Sequence, residues 1–153
     1  MIAKTEAFLK DTFTASTYLR SHPADRDYRL EHSYRVANIA KAIAEAEGFN
    51  VTYAVIAGLL HDIAYCEEMV SREDRMNHGR RSAAIARPFL ESLGLPADAV
   101  NEICYGIAIH VDDEADLNGN GLLSAKPWEM QIISIASMPT VSMKPWNILS
   151  SVK

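Results

Sequence analysis

Apolar residues recur along this chain with a helical period, and short polar, Gly or Pro breaks cut the pattern into single-helix lengths. This helical periodicity dominates, and the expected fold class is an all-α bundle. The first helix is expected over residues 3–20, ending before "SHPAD". The second runs from about Asp27 to a stop at Gly48, and the third covers 51–65. After the polar loop "CEEMVSREDRMN", a fourth helix is expected from His78 to Leu93, where Gly94 follows. Pro96 opens a fifth that carries "ADAVNEICYGIAIH".

At 153 residues the chain fits one domain with a real core. A net charge of −5 argues against a general nucleic-acid binder, and no binding of a specific nucleic-acid duplex is expected. "MIAKTEAFLK" lacks the apolar region of a signal peptide, and no apolar run reaches the length of a membrane span. Two cysteines, Cys66 and Cys104, make no disulfide framework, so a cytoplasmic setting without membrane attachment is the expectation. Cys66 reads as a small buried thiol rather than a metal ligand.

The end of the chain differs in composition. All 20 acidic residues lie at or before Glu129, and "QIISIASMPTV" is β-branched and uncharged. Pro139 and Pro145 would interrupt a long helix there. Two parts are therefore expected: a helical domain over 1–127 and an atypical apolar segment over 128–153. That segment would pack on the domain or on a partner subunit, which makes a homodimer through it an expectation.

Four of the five histidines fall at helix ends. His32 heads a stripe formed with Val36, Ile39 and Ile43, and His78 heads one formed with Ser82, Ile85 and Phe89. His61 and Asp62 close the apolar run "AGLLHDIAY", and His110 closes a stripe with Ile103, Gly106 and Ile107. Short connections make successive helices antiparallel neighbours, which brings all four histidines and Asp62 to one end of the bundle. Ala54, Ala57 and Gly58 beside His61 would let a neighbouring helix come close. His22 lies apart, in a Pro-containing loop. Imidazole and carboxylate together suit Mn, Fe, Co, Ni or Zn, and metal bonds offset the desolvation of grouped polar side chains.

The ordered set His32 in "EHSYRVANIA", His61-Asp62 in "AGLLHDIAY", His78 in "NHGRRSAAIA" and His110 in "GIAIHVDD" resembles the HD-domain superfamily of metal-dependent phosphohydrolases. The resemblance covers roughly residues 27–112. It implies an HD-domain-like bundle of five to six helices with an irregular C-terminal tail. It also implies one or two divalent transition-metal ions on His32, His61, Asp62, His78 and His110. The substrate implied is a small nucleotide or other phosphate ester, attacked by water that the metal activates. One part of the family pattern is absent. Where the resemblance places a closing Asp, this chain reads Ile135-Ala136-Ser137, and no later residue supplies a carboxylate. Water, Asp112, Asp113 or a partner would complete the site. The alternative is a degenerate HD module that keeps the fold and binds metal or nucleotide without turnover.

Within the enzyme reading, Asp62 is ligand and orienter, and Glu67 or Glu68 is a candidate for proton transfer or for orienting water. Arg35, Arg80 and Arg81 are the leading candidates to hold phosphate, with Arg72 and Arg75 nearby, because guanidinium matches phosphate through paired donors. Arg80 and Arg81 are expected in the first turn of the helix that starts at His78, where cations are unfavourable without a functional reason. Tyr34, Tyr65 and Tyr105 are candidates for stacking on a base, although tyrosines at helical spacing more often belong to a core.

Overall fold

The computed structural model describes residues 1–110 as six α-helices and one 3-10 turn, with no strand among the described residues. The boundary expected at 127, the segment 128–153, and Asp112, Asp113, Ile135 and Ser137 all lie outside the described residues.

Helix α1, Ile2–Ala15, buries Thr5, Leu9 and Phe13, one residue per turn along a single stripe. The sequence suggested one helix over 3–20, but the chain breaks at Ser16. Its backbone is extended (φ −60°, ψ 125°), and its Oγ accepts from the Leu19 N–H to cap α2, Thr17–Ser21. The same hydroxyl donates to the Cys66 carbonyl at 2.5 Å, tying α2 to the turn that follows the His-Asp pair.

Helix α3, Pro23–Glu47, begins four residues before the expected start at Asp27, because Pro23 takes the first helical position, where no N–H is needed. It stops at Gly48, whose φ of 74° is the left-handed conformation that glycine tolerates. Its buried stripe is Val36, Ala37, Ala40 and Ala44, while Ile39 and Ile43 are only partly buried. The stripe of small side chains has a reason in its neighbour. Helix α4, Val51–Leu60, packs against α3 at Gly58, where a β-carbon would meet the Ala37 Cα at 2.7 Å.

From Ala54 to Leu60 every residue of α4 is buried, as expected of a helix surrounded by others. It touches α1 and α3, and also α5 (Arg72–Ser92) and α6 (Ala97–Ile109). Ile56, Leu59 and Leu60 join Leu9, Phe13, Leu90, Ile103 and Ile107 in the core. Each such side chain contributes about 1.5–3 kcal/mol by leaving water. The expected third helix does not continue to Tyr65. It ends at Leu60, and after His61 and Asp62 the chain tightens into the 3-10 turn Ile63–Cys66.

Helix α5 starts six residues earlier than expected. Ser71 and Asp74 form a capping box, in which Ser71 Oγ accepts from the Asp74 N–H and the Asp74 carboxylate accepts from the Ser71 N–H. This cap outweighs the polar composition that made "SREDRMN" read as loop. Arg80 and Arg81 are consequently well inside the helix and not in its first turn, so the helix dipole gives no reason for them.

Candidate metal centre

Asp62 is the hub of a buried cluster. It stands just after His61, which caps α4, with only 3% of its surface exposed, and its two carboxylate oxygens face two pairs of histidines. Oδ1 lies 2.9 Å from His78 Nε2 and 3.3 Å from His110 Nε2, and those two nitrogens are 3.0 Å apart. Oδ2 lies 3.5 Å from His32 Nε2 and 3.6 Å from His61 Nε2, which are 3.1 Å apart. Five side chains from α3, α5, α6 and the end of α4 thus meet at one point. Two triads result, His32–His61–Asp62 and Asp62–His78–His110, sharing one carboxylate.

The rings are oriented by the backbone one turn before each. His61 Nδ1 sits 2.8 Å from the Gly58 carbonyl, His78 Nδ1 2.5 Å from that of Arg75, and His110 Nδ1 2.7 Å from that of Ile107. A carbonyl only accepts, so each Nδ1 carries the proton and donates it. With Nδ1 held by the backbone, each ring turns its Nε2 edge toward the cluster, the edge through which such a histidine binds a metal ion. Buried imidazole nitrogens converging on a carboxylate are a donor set that fits a divalent transition metal.

Burial lowers the basicity of His61 to a pKa of about 4 and also lowers His32, where Arg35 and Arg29 add to the effect. For Asp62, burial acts to raise the pKa, but the surrounding His61, His110 and His78 imidazoles outweigh it. The carboxyl is held well below its ordinary value and stays ionised.

Arg29 was absent from the sequence reading, and it is the cluster's fifth neighbour. Its Nη1 donates to Asp62 Oδ2 at 3.0 Å, and its guanidinium lies over the Tyr65 ring at 3.4 Å and near that of Tyr28 at 5.4 Å. The available signal was spacing: Arg29 precedes His32 by three residues, which puts both on one face of α3. Beside it opens a cavity of about 320 Å³, lined by Tyr18, Leu19, Asp25, Tyr28, Arg29, Tyr65, Met69 and Arg75. The Tyr65 ring also lies 4.8 Å from the His78 ring, so the cavity borders the cluster.

The other expected site residues are placed differently. Arg35 donates from Nη2 to His32 Nδ1 at 3.0 Å and thus supports the cluster from behind. Arg81 forms ion pairs with Glu67 and Asp74, and Arg80 is exposed. None of Arg35, Glu67, Arg80 and Arg81 lines the cavity. The Cys66 thiol is half-buried, and burial with the neighbouring Glu67 pushes its pKa up to about 11. Tyr34 has its ring near Lys10, and its hydroxyl has no hydrogen-bond partner among the described residues. His22 is exposed and stacks on Tyr18.

Ribonuclease Y 1 of Pediococcus pentosaceus is 34% identical over 102 residues, which is 64% of this chain and 18% of that relative. The chain therefore spans less than a fifth of the length of the curated relative it matches. No solved structure matches. The HD domain family matches residues 29–136, a range that contains Arg29, all four clustered histidines and Asp62. A match over more than half of its length, with an all-α fold and the His-Asp pair at its centre, shows that this chain belongs to the HD domain family.

Proposed function

We propose that this protein is a metal-dependent phosphohydrolase acting on a small nucleotide or other phosphate ester. The observation that carries the reading is the pair of ligand triads sharing Asp62, set against a cavity that offers two guanidinium groups and flat aromatic rings. One or two divalent ions held by His32, His61, Asp62, His78 and His110 would supply an acidified water and draw charge from a phosphoryl oxygen.

The chain's own residues do the rest. Arg29 and Arg75, both in the cavity wall, meet the phosphate, and they replace Arg35, Arg80 and Arg81 in that role. Arg81 is committed to Glu67 and Asp74, and Arg35 to His32 and Glu31. Tyr28 and Tyr65 offer ring faces to a planar group carried by the ester. Asp62 stays ionised and presents one carboxylate oxygen to each pair of histidines. Glu67, held by Arg81, receives no proton-transfer role in this reading.

A phosphodiester within RNA is a second substrate class. The relative named a ribonuclease supports it, as does the exposure of Tyr28 at the cavity rim, 53% of its surface. The test is a screen of nucleoside phosphates, simple phosphomonoesters, phosphodiesters and short RNA with protein reconstituted in Mn, Fe, Co, Ni or Zn. Metal-dependent hydrolysis that disappears in Asp62→Asn is the expected result. Bound metal with no hydrolysis of any ester would instead support the degenerate module.

A further inference from the structure

We propose that Asp25 is a specificity-determining residue of this site: its carboxylate accepts hydrogen bonds from the sugar hydroxyls of a ribonucleoside phosphate whose phosphate lies against Arg29 and Arg75. The inference rests on the phosphohydrolase reading and deepens it by naming the class of nucleotide.

The cavity carries charge of both signs, and the signs are separated along α3. Arg29 reaches the cluster end, where it donates to Asp62 Oδ2 at 3.0 Å. Arg75 enters from α5, with Nη1 donating to the Met69 carbonyl at 3.2 Å. Asp25 lines the same cavity from the first turn of α3, one helical turn or about 6 Å before Arg29. It stands about 10 Å before His32, too far along the helix to join the ligands around Asp62. A carboxylate repels phosphate and guanidinium attracts it, so the ester seats its charged end at Arg29 and its organic end at Asp25.

The carboxylate is placed to read that organic end. An Asp and an Arg four residues apart on a helix ordinarily pair. Here Arg29 turns away to Asp62 and makes no ion pair with Asp25 among the described residues. Instead the Tyr18 hydroxyl donates to Asp25 Oδ2 at 3.3 Å, which fixes the carboxylate on the wall and leaves Oδ1 to accept. A carboxylate only accepts, so the ligand group facing it must donate. Two guanidinium groups in the same cavity disfavour a cationic donor and favour neutral hydroxyls.

The surrounding wall favours a sugar that carries a base. Tyr18 and the exposed Tyr28 put flat rings beside Asp25. A volume of about 320 Å³ is the scale of a small-molecule site. A ribose spans one helical turn between its phosphate-bearing carbon and its paired hydroxyls. Tyr18, Leu19, Asp25 and Tyr28 also precede residue 29, where the match to the HD domain family begins. This half of the wall is therefore where selectivity particular to this chain can be built.

The experiment is calorimetric titration of Mn(II)-reconstituted protein with nucleoside 5′-methylenephosphonates, whose P–C bond resists hydrolysis. Adenine, guanine, cytosine and uracil compounds are each used as the ribose and the 2′,3′-dideoxyribose form. Wild type is expected to bind the ribose form of at least one base about tenfold tighter than its dideoxy form. Asp25→Ala is expected to bring the ribose form down to the affinity of the dideoxy form and to leave the dideoxy form unchanged. A merely structural role at the start of α3 would weaken both forms alike. If Asp25→Ala fails to fold, Asp25→Asn keeps the shape and is expected to narrow the ratio to about threefold or less. No binding of either form, equal binding of both by wild type, a preference that survives in both variants, or equal weakening of both forms would each overturn the inference. Hydrolysis of nucleoside phosphates without a ribose preference would overturn it and leave the phosphohydrolase reading intact. An Asp25-dependent preference with no hydrolysis of any ester would overturn that reading and leave the place of Asp25 standing.

Discussion

Gly58 lies so close to Ala37 that a β-carbon on it would sit 2.7 Å from the Ala37 Cα and 2.9 Å from its backbone N. The same Gly58 gives its carbonyl to His61 Nδ1. The contact that sets the distance between α3 and α4 therefore also sets the orientation of a candidate ligand. Gly58→Ala is predicted to cost about 2–3 kcal/mol, because backbone cannot move aside as a flexible side chain does. Urea unfolding checks it, with weaker metal binding expected alongside; a variant as stable as wild type would contradict this packing.

Acid is predicted to destabilise the protein between pH 6.5 and 4. His61 has a folded pKa of about 4, below its ordinary value, and His32 is shifted in the same direction. The unfolded chain therefore binds more protons across this window, and stability rises with pH through it. Asp62, held low in the fold, adds a loss at still lower pH. Urea midpoints at pH 7 and pH 5 test the sign, and a higher midpoint at pH 5 would be the wrong one.

Much of this site could be read from the residues alone, and the part that could not has specific causes. His32, His61, Asp62, His78 and His110 come together as helical faces and short connections require, since each ends or heads a buried stripe. Arg29 went unseen because a lone arginine on a helix is ordinary until its partner is known, and the partner stands 33 residues away. Arg80 and Arg81 drew attention through a misplaced helix start, which the Ser71–Asp74 cap moves to Arg72. The break at Ser16 was hidden because serine marks a helix start only when its neighbours leave the helix.

Ser16→Ala is predicted to cost at least about 1 kcal/mol. It removes the cap on α2 and the bond to the Cys66 carbonyl that anchors the turn after Asp62. Denaturant melts report the loss, and metal binding should weaken with it. An unchanged midpoint would mean that α2 and this turn are held by packing alone.

Cys66 is predicted to resist alkylation in the folded protein at pH 8. Its thiol, raised to about 11, has almost no thiolate there. Labelling by iodoacetamide followed by mass spectrometry should modify it only after denaturation. Rapid modification of the native chain would contradict the burial.

Arg75→Ala is predicted to raise KM for a phosphate ester about tenfold while leaving metal content unchanged. Arg75 lines the cavity, and its side chain is not among the groups that converge on Asp62. Steady-state kinetics separate the two effects, and a loss of bound metal in this variant would contradict the assignment.

The most direct test of the central claim is elemental analysis of purified, reconstituted and extensively dialysed protein, beside Asp62→Asn with its fold confirmed by circular dichroism. The account predicts about one or two moles of divalent transition metal per mole of wild-type chain and almost none in Asp62→Asn, because every candidate ligand set includes that carboxylate. A folded wild-type chain that retains no Mn, Fe, Co, Ni or Zn, or an Asp62→Asn variant that retains as much as wild type, would contradict it.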